Sequence, residues 1–267
     1  MIRLAVTDLD GCLLDREGRL PPDFGDTLSL LRERGVVFAA ASGRAIAGAE
    51  KPFGEYAGEM AFVSDNGSRV FYRGQQLASR TPRREAFLPL VQEARRHENL
   101  IITACGEQYA WIENVDRLTE TDWQEIRKYY PACKDGALEE IPEPIIKYAF
   151  LYFDDIEKNI LPSLKPFDGE ELSIEATAYV WVDAFEKEVN KGIGVRALQE
   201  KLGISPAETV VFGDYLNDLP MADHAARSFA PANAHPQVKR RFTDEIGYNT
   251  EGCVTATLKK LMEAQGA

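Results

Sequence analysis

The sequence predicts an α/β protein in which a parallel-sheet domain is interrupted by an α+β insert. Strand-like and helix-like segments alternate at both ends of the 267-residue chain, with glycine at the breaks between them, a pattern typical of parallel sheets. In the middle of the chain, pairs of strand-like segments form hairpins around helices instead. One domain is therefore predicted to be split around an insert of about 100 residues, which is within the usual size of a domain.

The N-terminal part opens on an apolar segment and then repeats a strand–helix rhythm. Its helix carries leucines at helical spacing and stops at a glycine, and its third strand ends in an Asn-Gly turn signal. The predicted elements, in order, are a buried strand at 2–8, a helix at 21–35, strands at 36–44 and 61–67, and a hairpin at 70–80.

The insert is assigned to residues 83–185, which leaves 1–82 and 186–267 as the two parts of the split domain. Within the insert the pattern predicts helices at 83–97, 118–130 and 154–167, a hairpin at 100–113, a strand at 145–153 and a strand pair at 172–185. After it, the pattern predicts helices at 189–203, 218–226 and 254–264, and strands at 208–214 and 228–234.

Composition and charge exclude several classes of protein. The net charge of -12 argues against nucleic-acid binding by phosphate neutralisation and against a polybasic membrane surface. The four cysteines are scattered and the three histidines add no zinc spacing, so free thiols in a reducing cytosol are expected. Neither a signal peptide nor an apolar run of membrane length is present, which predicts a soluble cytoplasmic protein, either a monomer or a small homo-oligomer.

Four predicted strand or helix boundaries combine a glycine with polar groups. They are DLDG (8–11), SGR (42–44), NKG (190–192) and GDYLND (213–218). In open parallel sheets, ligands bind in the crevice outside the carboxyl ends of the strands. The four segments are therefore predicted to meet in one crevice.

The two acidic segments favour a metal site. Asp8 and Asp10 are two residues apart, so on an extended chain both carboxylates face the same side; the alternative is a turn aspartate and a capping aspartate. Asp214 follows a second apolar strand in the same way, and carboxylates at two strand ends suit Mg²⁺. For this segment the alternative is simple capping of a helix by Asn217 or Asp218.

The other two segments favour an anion. Ser42 stands at a strand-to-helix junction before Gly43, where a hydroxyl and free amides make an anion site, or where the serine merely caps the helix. Lys191 begins a helix, where the helix dipole disfavours a cation unless the lysine meets an anion. The alternative is a solvated lysine with Asn190 as the cap.

Together the four segments resemble the motifs of the haloacid dehalogenase-like hydrolase superfamily, specifically its Cof-type phosphatase branch, type IIB. The family motifs are Asp-x-Asp-Gly-Thr, a strand-ending Ser or Thr, a lysine, and Gly-Asp-x-x-Asn-Asp, and they occur here in that order over the full chain. The loops Asn66-Gly67, APANA (230–234) and Glu251-Gly252 are also similar to those of the branch. One position departs from the pattern, since Cys12 replaces the usual threonine.

The resemblance implies a Rossmann-like core with an inserted cap that governs specificity. It implies a Mg²⁺-dependent phosphatase in which Asp8 is the nucleophile that forms an aspartyl-phosphate, and Asp10 is the general acid and base. The remaining implied roles are metal binding by Asp8, the backbone carbonyl of Asp10, Asp214 and Asp218, and phosphate binding by Ser42, Gly43, Lys191 and Asn217, with Arg44 as a further candidate for contact with the substrate.

The predicted substrate is a small phosphorylated metabolite, such as a sugar phosphate or a nucleotide. Tyr109, Trp111 and Trp181 are candidates for contact with its leaving group, although tyrosine and tryptophan are also common as ordinary strand residues. Two other functions remain open from the sequence. One is a phosphomutase or phosphotransferase, and the other is a non-catalytic binding protein on the same fold.

Overall fold

The computed structural model describes residues 1–266. These residues form two compact units. The first unit comprises Met1–Ser79 together with the chain from Asn190 to the C-terminal end, and the second comprises Arg80–Val189. The role of the second unit as a cap stays a prediction.

The first unit is built on one large sheet flanked by helices. Its strands are β1 (Leu4–Asp8), β2 (Val37–Ala41), β3 (Ala61–Ser64), β4 (Arg69–Tyr72), β5 (Gln75–Ser79), β12 (Thr209–Phe212), β13 (Arg227–Pro231) and β14 (Asp244–Ile246), while β6 to β11 belong to the second unit. Its helices are α1 (Phe24–Glu33), α2 (Ile46–Glu50), α7 (Lys191–Leu202), α8 (Pro236–Arg241) and α9 (Cys253–Gly266), with longer 3-10 segments at Lys51–Glu59 and Leu216–His224.

The strand order in this sheet is β14-β13-β12-β1-β2-β3-β4-β5. The strands from β14 to β3 are parallel to their neighbours, and the hairpin of β4 and β5 adds two antiparallel strands at one edge. The predicted fold class, a Rossmann-like parallel sheet with helices, is confirmed. The antiparallel edge of the sheet is formed by β4 and β5, which correspond to the hairpin predicted at 70–80.

Alternating side chains of the central strands supply two separate apolar cores. In β1, Leu4 and Val6 pack into a core with Val195 and Leu198 of α7. Ala5 points to the other face, into the core that holds α1 and α9. Because side chains alternate along a strand, Asp8 falls on the face of Leu4 and Val6, which is the face that α7 covers.

The carboxyl ends of four neighbouring strands lie level with one another. Asp8 of β1 is in register with Ala41 of β2, and Ala41 is in register with Val63 of β3. On the other side, Thr7 pairs with Phe212 of β12. The polar segments that follow these strands are therefore delivered to one edge of the sheet.

The second unit is an α+β unit with its own sheet. Its strands are β6 (Ile101–Gly106), β7 (Ala110–Ile112), β8 (Cys133–Asp135), β9 (Ile145–Leu151), β10 (Leu172–Ala178) and β11 (Trp181–Glu186), in the order β10-β11-β9-β6-β7-β8. Its helices are α3 (Arg84–Ala94), α4 (Glu120–Tyr129), α5 (Ile156–Asn159) and α6 (Leu161–Leu164). Helix α4 begins at the capping box of Thr119 and Asp122, within the helix predicted at 118–130.

Several elements differ from the prediction in extent. The helix predicted at 154–167 is broken into α5, α6 and a 3-10 turn, with prolines at the starts of the second and third pieces, since proline supplies no amide to continue a preceding helix. Strands β8 and β14 were not predicted; each is three residues long and polar in part. Among residues 1–266, none of the helices combines the length and the apolar character that a membrane span needs.

Candidate active site

Lys191, at the start of α7, is buried among carboxylates. Only 1% of the residue is exposed, and its Nζ donates to Asp8 Oδ1 at 2.5 Å and to Asp218 Oδ1 at 2.6 Å. Asn190 caps the helix by accepting a hydrogen bond from Ile193 N at 3.0 Å. The cation that looked out of place at a helix start therefore lies between two anions.

The protonation of this group follows from burial and charge. Burial raises the pKa of Asp8 well above its usual range, and the nearby Lys191 opposes that rise. Burial lowers the pKa of Lys191, but the charges of Asp218 and Asp8 outweigh this and leave it above its ordinary value. Lys191 is therefore a cation at neutral pH and the chief stabiliser of the Asp8 carboxylate.

Asp218 uses both of its oxygens within the protein. While Oδ1 accepts from Lys191, Oδ2 accepts from the backbone amides of Asp214 and Tyr215 at 2.9 and 3.0 Å. Asp218 is thus the residue that fixes the loop after β12 and holds it against Lys191. The N-cap of the 3-10 segment is Tyr215, and not Asn217 or Asp218 as considered from the sequence; Asp218 is its third residue and accepts from the N-cap amide.

Asp214 completes the acidic group and has a free ligand atom. Its Oδ1 is buried and has no hydrogen-bond partner among the described residues. Burial, and then the charge of Asp218, raise the pKa of Asp214 to about 7. A Cβ atom on Gly11, whose φ is +84°, would lie 2.5 Å from Asp214 Oδ2, so glycine is required there for the loop after β1 to approach this carboxylate.

The donor set fits a divalent cation. Oxygen atoms of Asp8, Asp214 and Asp218 all lie within 4.8 Å of one another. Three carboxylates against the one ammonium group of Lys191 leave two formal negative charges in a buried place, which is costly without compensation. The unpartnered Oδ1 of Asp214 and the all-oxygen donor set suit a hard ion such as Mg²⁺.

The carboxylate of Asp10 is not a member of that group of three. Strand β1 ends at Asp8, and the Asp10 side chain, 57% exposed, forms two hydrogen bonds with Arg44. Arg44 Nε donates to Oδ2 at 2.9 Å and Nη2 to Oδ1 at 2.5 Å. Arg44, predicted as a contact for the substrate, is thus bound to the predicted general acid.

The predicted phosphate-binding residues lie in two neighbouring loops. Ser42 Oγ accepts a hydrogen bond from Arg44 N at 3.1 Å within the loop after β2. Helix α2 has Ala45 at its N-cap, without a side-chain capping bond, so the alternative that Ser42 merely caps the helix is wrong. Asn217 Nδ2 donates to Asn66 Oδ1 at 3.1 Å. Asn66 also lies next to Gly43, where an added Cβ would be 3.2 Å from the Asn66 side chain.

Sequence reasoning gave no role to three residues that support the site. Thr7 Oγ1 donates to the Asp8 carbonyl at 2.8 Å and lies 3.5 Å from Cys12 Sγ. Asn233 Nδ2 donates to the Gly11 carbonyl at 2.7 Å, and Asn66 bridges two loops. The loops of Asn66 and Asn233 carried a signal in their likeness to the family, whereas Thr7 had none.

Cys12 is buried beneath the loop of Asp8. Burial, followed by the charge of Asp8, raises the pKa of the Cys12 thiol well above its ordinary value. The side chain is therefore a neutral thiol that packs against Thr7. Nothing in this arrangement makes it a reactive group.

The aromatic candidates of the second unit each have partners of their own. Trp111 Nε1 donates to Glu143 Oε1 at 2.6 Å, and Trp181 Nε1 donates to Glu125 Oε1 at 3.0 Å. Lys134 Nζ lies 3.5 Å from the centre of the Tyr109 ring. All three side chains therefore have partners within the second unit, and contact with a leaving group stays a prediction.

Comparison with known proteins places these motifs in a family. The sequence model of the haloacid dehalogenase-like hydrolases matches residues 5–258. The chain belongs to this family. The predicted superfamily is confirmed, and so is the prediction that the chain is an enzyme of the phosphoric monoester hydrolase class.

Three relatives illustrate how far the likeness extends. The 5-amino-6-(5-phospho-D-ribitylamino)uracil phosphatase of Escherichia coli is 26% identical, over 98% of this chain and 97% of its own length. The HMP-PP phosphatase of Klebsiella pneumoniae is 25% identical over 90% of this chain and 87% of its own. A solved sugar phosphatase of subclass IIB is 19% identical, with a TM-score of 0.79 over 97% of this chain and 98% of that one, which shows the shared fold.

Proposed function

We propose that this hydrolase is a Mg²⁺-dependent phosphatase of small phosphorylated metabolites that acts through an aspartyl-phosphate on Asp8. The observation that carries the proposal is the position of Asp8. It is buried at the end of the central strand β1, bonded to Lys191, and grouped with two further carboxylates. A carboxylate so placed is compensated when a metal ion joins the lysine, and the same two cations offset the charge of an anionic substrate.

The residues that would hold Mg²⁺ are Asp8, Asp214 and the backbone carbonyl of Asp10, with Asp218 ordering the loop and the bound water. When bound, the ion neutralises the charge that builds up between an anionic nucleophile and an anionic phosphate. The free Oδ1 of Asp214 supports its part in this set. Asp218 supports the site from behind, since both of its oxygens already accept hydrogen bonds.

In the first chemical step, Asp8 attacks the phosphorus atom of the substrate. A bond forms between a carboxylate oxygen of Asp8 and phosphorus, while the bond from phosphorus to the leaving oxygen breaks. Asp10 donates its proton to the leaving oxygen, so the alcohol departs neutral. This step requires Asp10 in its protonated form and released from Arg44.

In the second step, water hydrolyses the aspartyl-phosphate. Asp10, now a carboxylate, accepts a proton from the attacking water, and the bond from phosphorus to Asp8 breaks to restore the free carboxylate. Lys191 remains charged and compensates Asp8 in both steps. Ser42, the Gly43 amide and Asn217 are proposed to hold the phosphate oxygens in the orientation required for attack.

The substrate is proposed to be a small phosphorylated metabolite, such as a sugar phosphate or a nucleotide. One relative is named for a phosphorylated ribitylaminouracil and another for HMP-PP, and a solved neighbour is named a sugar phosphatase. The second unit is proposed to act as the cap that selects the leaving group and shields the reaction from water.

Release of inorganic phosphate tests the proposal. A panel of phosphorylated metabolites and one generic aryl phosphate would be assayed with Mg²⁺, with EDTA, and with the Asp8→Asn variant. Phosphate release that needs Mg²⁺ and is abolished in Asp8→Asn is the expected result. A folded protein that binds Mg²⁺ but releases no phosphate from any compound would overturn it, and transfer to an added alcohol or sugar would then identify a phosphotransferase.

A further inference from the structure

The connection between β3 and β4 contains a buried ion pair that the proposed reaction does not use. Asp65 and Arg69 are 1% and 2% exposed, and Arg69 Nε and Nη2 both lie close to Asp65 Oδ2, at 3.0 and 2.9 Å. Ser64 Oγ donates to the same oxygen at 3.0 Å. Asp65 Oδ1 has no hydrogen-bond partner among the described residues, so the charge of this carboxylate is compensated on one side, by Arg69.

This ion pair spans a turn that ordinary residues disfavour. Asp65 and Asn66 have φ angles of 51° and 54°, and Gly67 follows with 106°. Left-handed backbone at two successive non-glycine residues is unfavourable and persists where surrounding contacts enforce it. Asp65 and Arg69 stand on the two sides of the turn, so their bonds hold it in this conformation.

This turn is hydrogen-bonded to the predicted phosphate-binding loop. The Asp65 amide donates to the Arg44 carbonyl at 2.9 Å, and the Asn66 amide donates to the Ser42 carbonyl at 3.0 Å. These two hydrogen bonds restrain the backbone on either side of Gly43. The orientation of the Gly43 peptide, which would bind a phosphate oxygen, therefore depends on the conformation of the turn.

The same turn contacts two other parts of the site. Asn66 Oδ1 accepts from Asn217 Nδ2 at 3.1 Å. At Gly67, an added Cβ would lie 2.1 Å from the Asn190 carbonyl, so the turn is packed directly against the residue that precedes Lys191. The turn therefore contacts three predicted parts of the site: the loop of Ser42, Asn217, and the start of the helix at Lys191.

We propose that Asp65 and Arg69 are positioning residues for phosphate binding, and that they act by fixing Asn66 and, through it, Ser42 and Asn217. The inference rests on the proposed function and assigns to this pair no contact with the substrate. Displacement of phosphate ligands by a fraction of an ångström weakens binding and orientation of the substrate. The hydrogen bonds that hold the acidic group join Lys191, Asp8 and Asp218 to one another and to the amides of Asp214 and Tyr215.

The Asp65→Asn variant tests the inference because it removes the charge and keeps the shape. We expect KM for an aryl phosphate and Ki for inorganic phosphate to rise on the order of tenfold. The affinity for Mg²⁺ alone, measured by calorimetry, should change less than about twofold. A role confined to stability would lower the melting temperature and leave both phosphate constants unchanged in the folded fraction.

Asp23→Asn is the matched control in the same unit. Asp23 accepts hydrogen bonds from Lys259 at 2.7 Å and from Thr255 at 2.9 Å, away from the turn. Its loss should lower thermal stability and leave KM and Ki at their wild-type values. The control separates loss of a carboxylate from loss of the turn.

A double-mutant cycle with Asn66→Gly asks whether Asp65 acts through Asn66. Glycine tolerates the left-handed backbone and removes the oxygen that Asn217 binds, so this variant alone should raise Ki on the order of tenfold. In its background, Asp65→Asn should change Ki by less than about twofold, because coupled residues are not additive. If Asp65→Asn does not fold, Asn66→Gly and the conservative Arg69→Lys carry the test, with the lysine variant expected to keep more phosphate affinity than Arg69→Met.

Two results would overturn the inference. One is an Asp65→Asn variant whose phosphate constants match those of Asp23→Asn, and the other is an equal effect of Asp65→Asn with and without Asn66. A wild-type protein that releases no phosphate would instead contradict the proposed function. Binding of phosphate and of Mg²⁺ would still be measurable by calorimetry in that case, so the two failures are distinguishable.

Discussion

Each of the two units contains a buried lysine bonded to aspartate, and the two arrangements differ in charge balance. In the second unit, Lys147 Nζ donates to Asp183 Oδ2 at 2.6 Å, and the two residues are 3% and 4% exposed. In the first unit, Lys191 faces Asp8 and Asp218, with Asp214 close by. The Lys147–Asp183 pair balances one positive and one negative charge, whereas the Lys191 group has two negative charges in excess when all three of its carboxylates are ionised.

This difference distinguishes a structural ion pair from a site built for a ligand. A neutral pair on adjacent strands satisfies its own charges and needs no further partner. A group with excess negative charge and an unpartnered buried oxygen on Asp214 is costly until something positive joins it. The four predictions below test whether the two lysines behave as this comparison requires.

The largest effect is expected from Lys191→Met. The substitution leaves three buried carboxylates without their cation and removes the charge that compensates an attacking Asp8. We expect phosphate release to fall by at least about a thousandfold, as is typical when a principal charge-stabilising group is lost. The measurement is the rate of phosphate release at saturating Mg²⁺, with the melting temperature as a control for folding. A loss of less than tenfold would contradict the role of Lys191.

Lys147→Met should act on stability more than on catalysis. Removal of one partner leaves Asp183 buried and unpaired, which costs about 3–5 kcal/mol of the free energy of unfolding. The rate of phosphate release from a generic aryl phosphate, per folded molecule, should change less than about tenfold, because the pair lies outside the acidic group. Chemical denaturation of Lys147→Met and of the double variant Lys147→Met/Asp183→Leu checks this, since the double variant should recover most of the stability.

Mg²⁺ should stabilise the protein through the acidic group around Lys191, and the effect should not depend on the Lys147–Asp183 pair. At a concentration of one hundred times its Kd, the ion should add about 2.7 kcal/mol to the free energy of unfolding. Asp214→Asn should abolish most of this gain, and Asp183→Asn should retain it. Thermal shift with and without EDTA measures the effect. Equal stabilisation of both variants would show that Mg²⁺ binds elsewhere.

The smallest effect is expected from Cys12→Thr, which restores the residue usual in the family. Cys12 contacts Thr7 through its sulfur and is a neutral thiol, so the new hydroxyl replaces a weak contact by a similar one. The value of kcat/KM should change less than about threefold, in line with small conservative substitutions. A change above tenfold would mean that this side chain contributes directly to the reaction.

The four strand-end segments and the split of the chain were predictable because they depend on local patterns. An alternating apolar run, a glycine stop and a capping box such as that of Thr119 are each contained within a few consecutive residues. The types of residue at the strand ends also indicated carboxylate, hydroxyl and lysine chemistry at one edge of a parallel sheet. Strand β8, with the sequence CKD, escaped prediction since three partly polar residues carry no periodicity.

The partners of the site residues were not predictable in the same way. The spacing of Asp8 and Asp10 suggested two carboxylates side by side, but β1 ends at Asp8 and the Asp10 carboxylate binds Arg44. The bridge from Asn66 to Asn217 joins residues 151 positions apart. Such contacts depend on the conformation of each turn, which could not be predicted from the neighbouring residues alone.

The sequence by itself determined the types of residue in the candidate site and the edge of the sheet at which they gather. Only the tertiary structure decided which carboxylates share Lys191, because that depends on strand order and register: residues 8 and 191 meet through β1 and the helix packed on its face. It also decided that Asp65 and Arg69 lie on the two sides of a left-handed turn that is bonded to the loop of Ser42 and Arg44. The physical reason is that hydrogen bonds between distant residues are fixed by the packing of whole elements, whereas motifs and caps are fixed by neighbours along the chain.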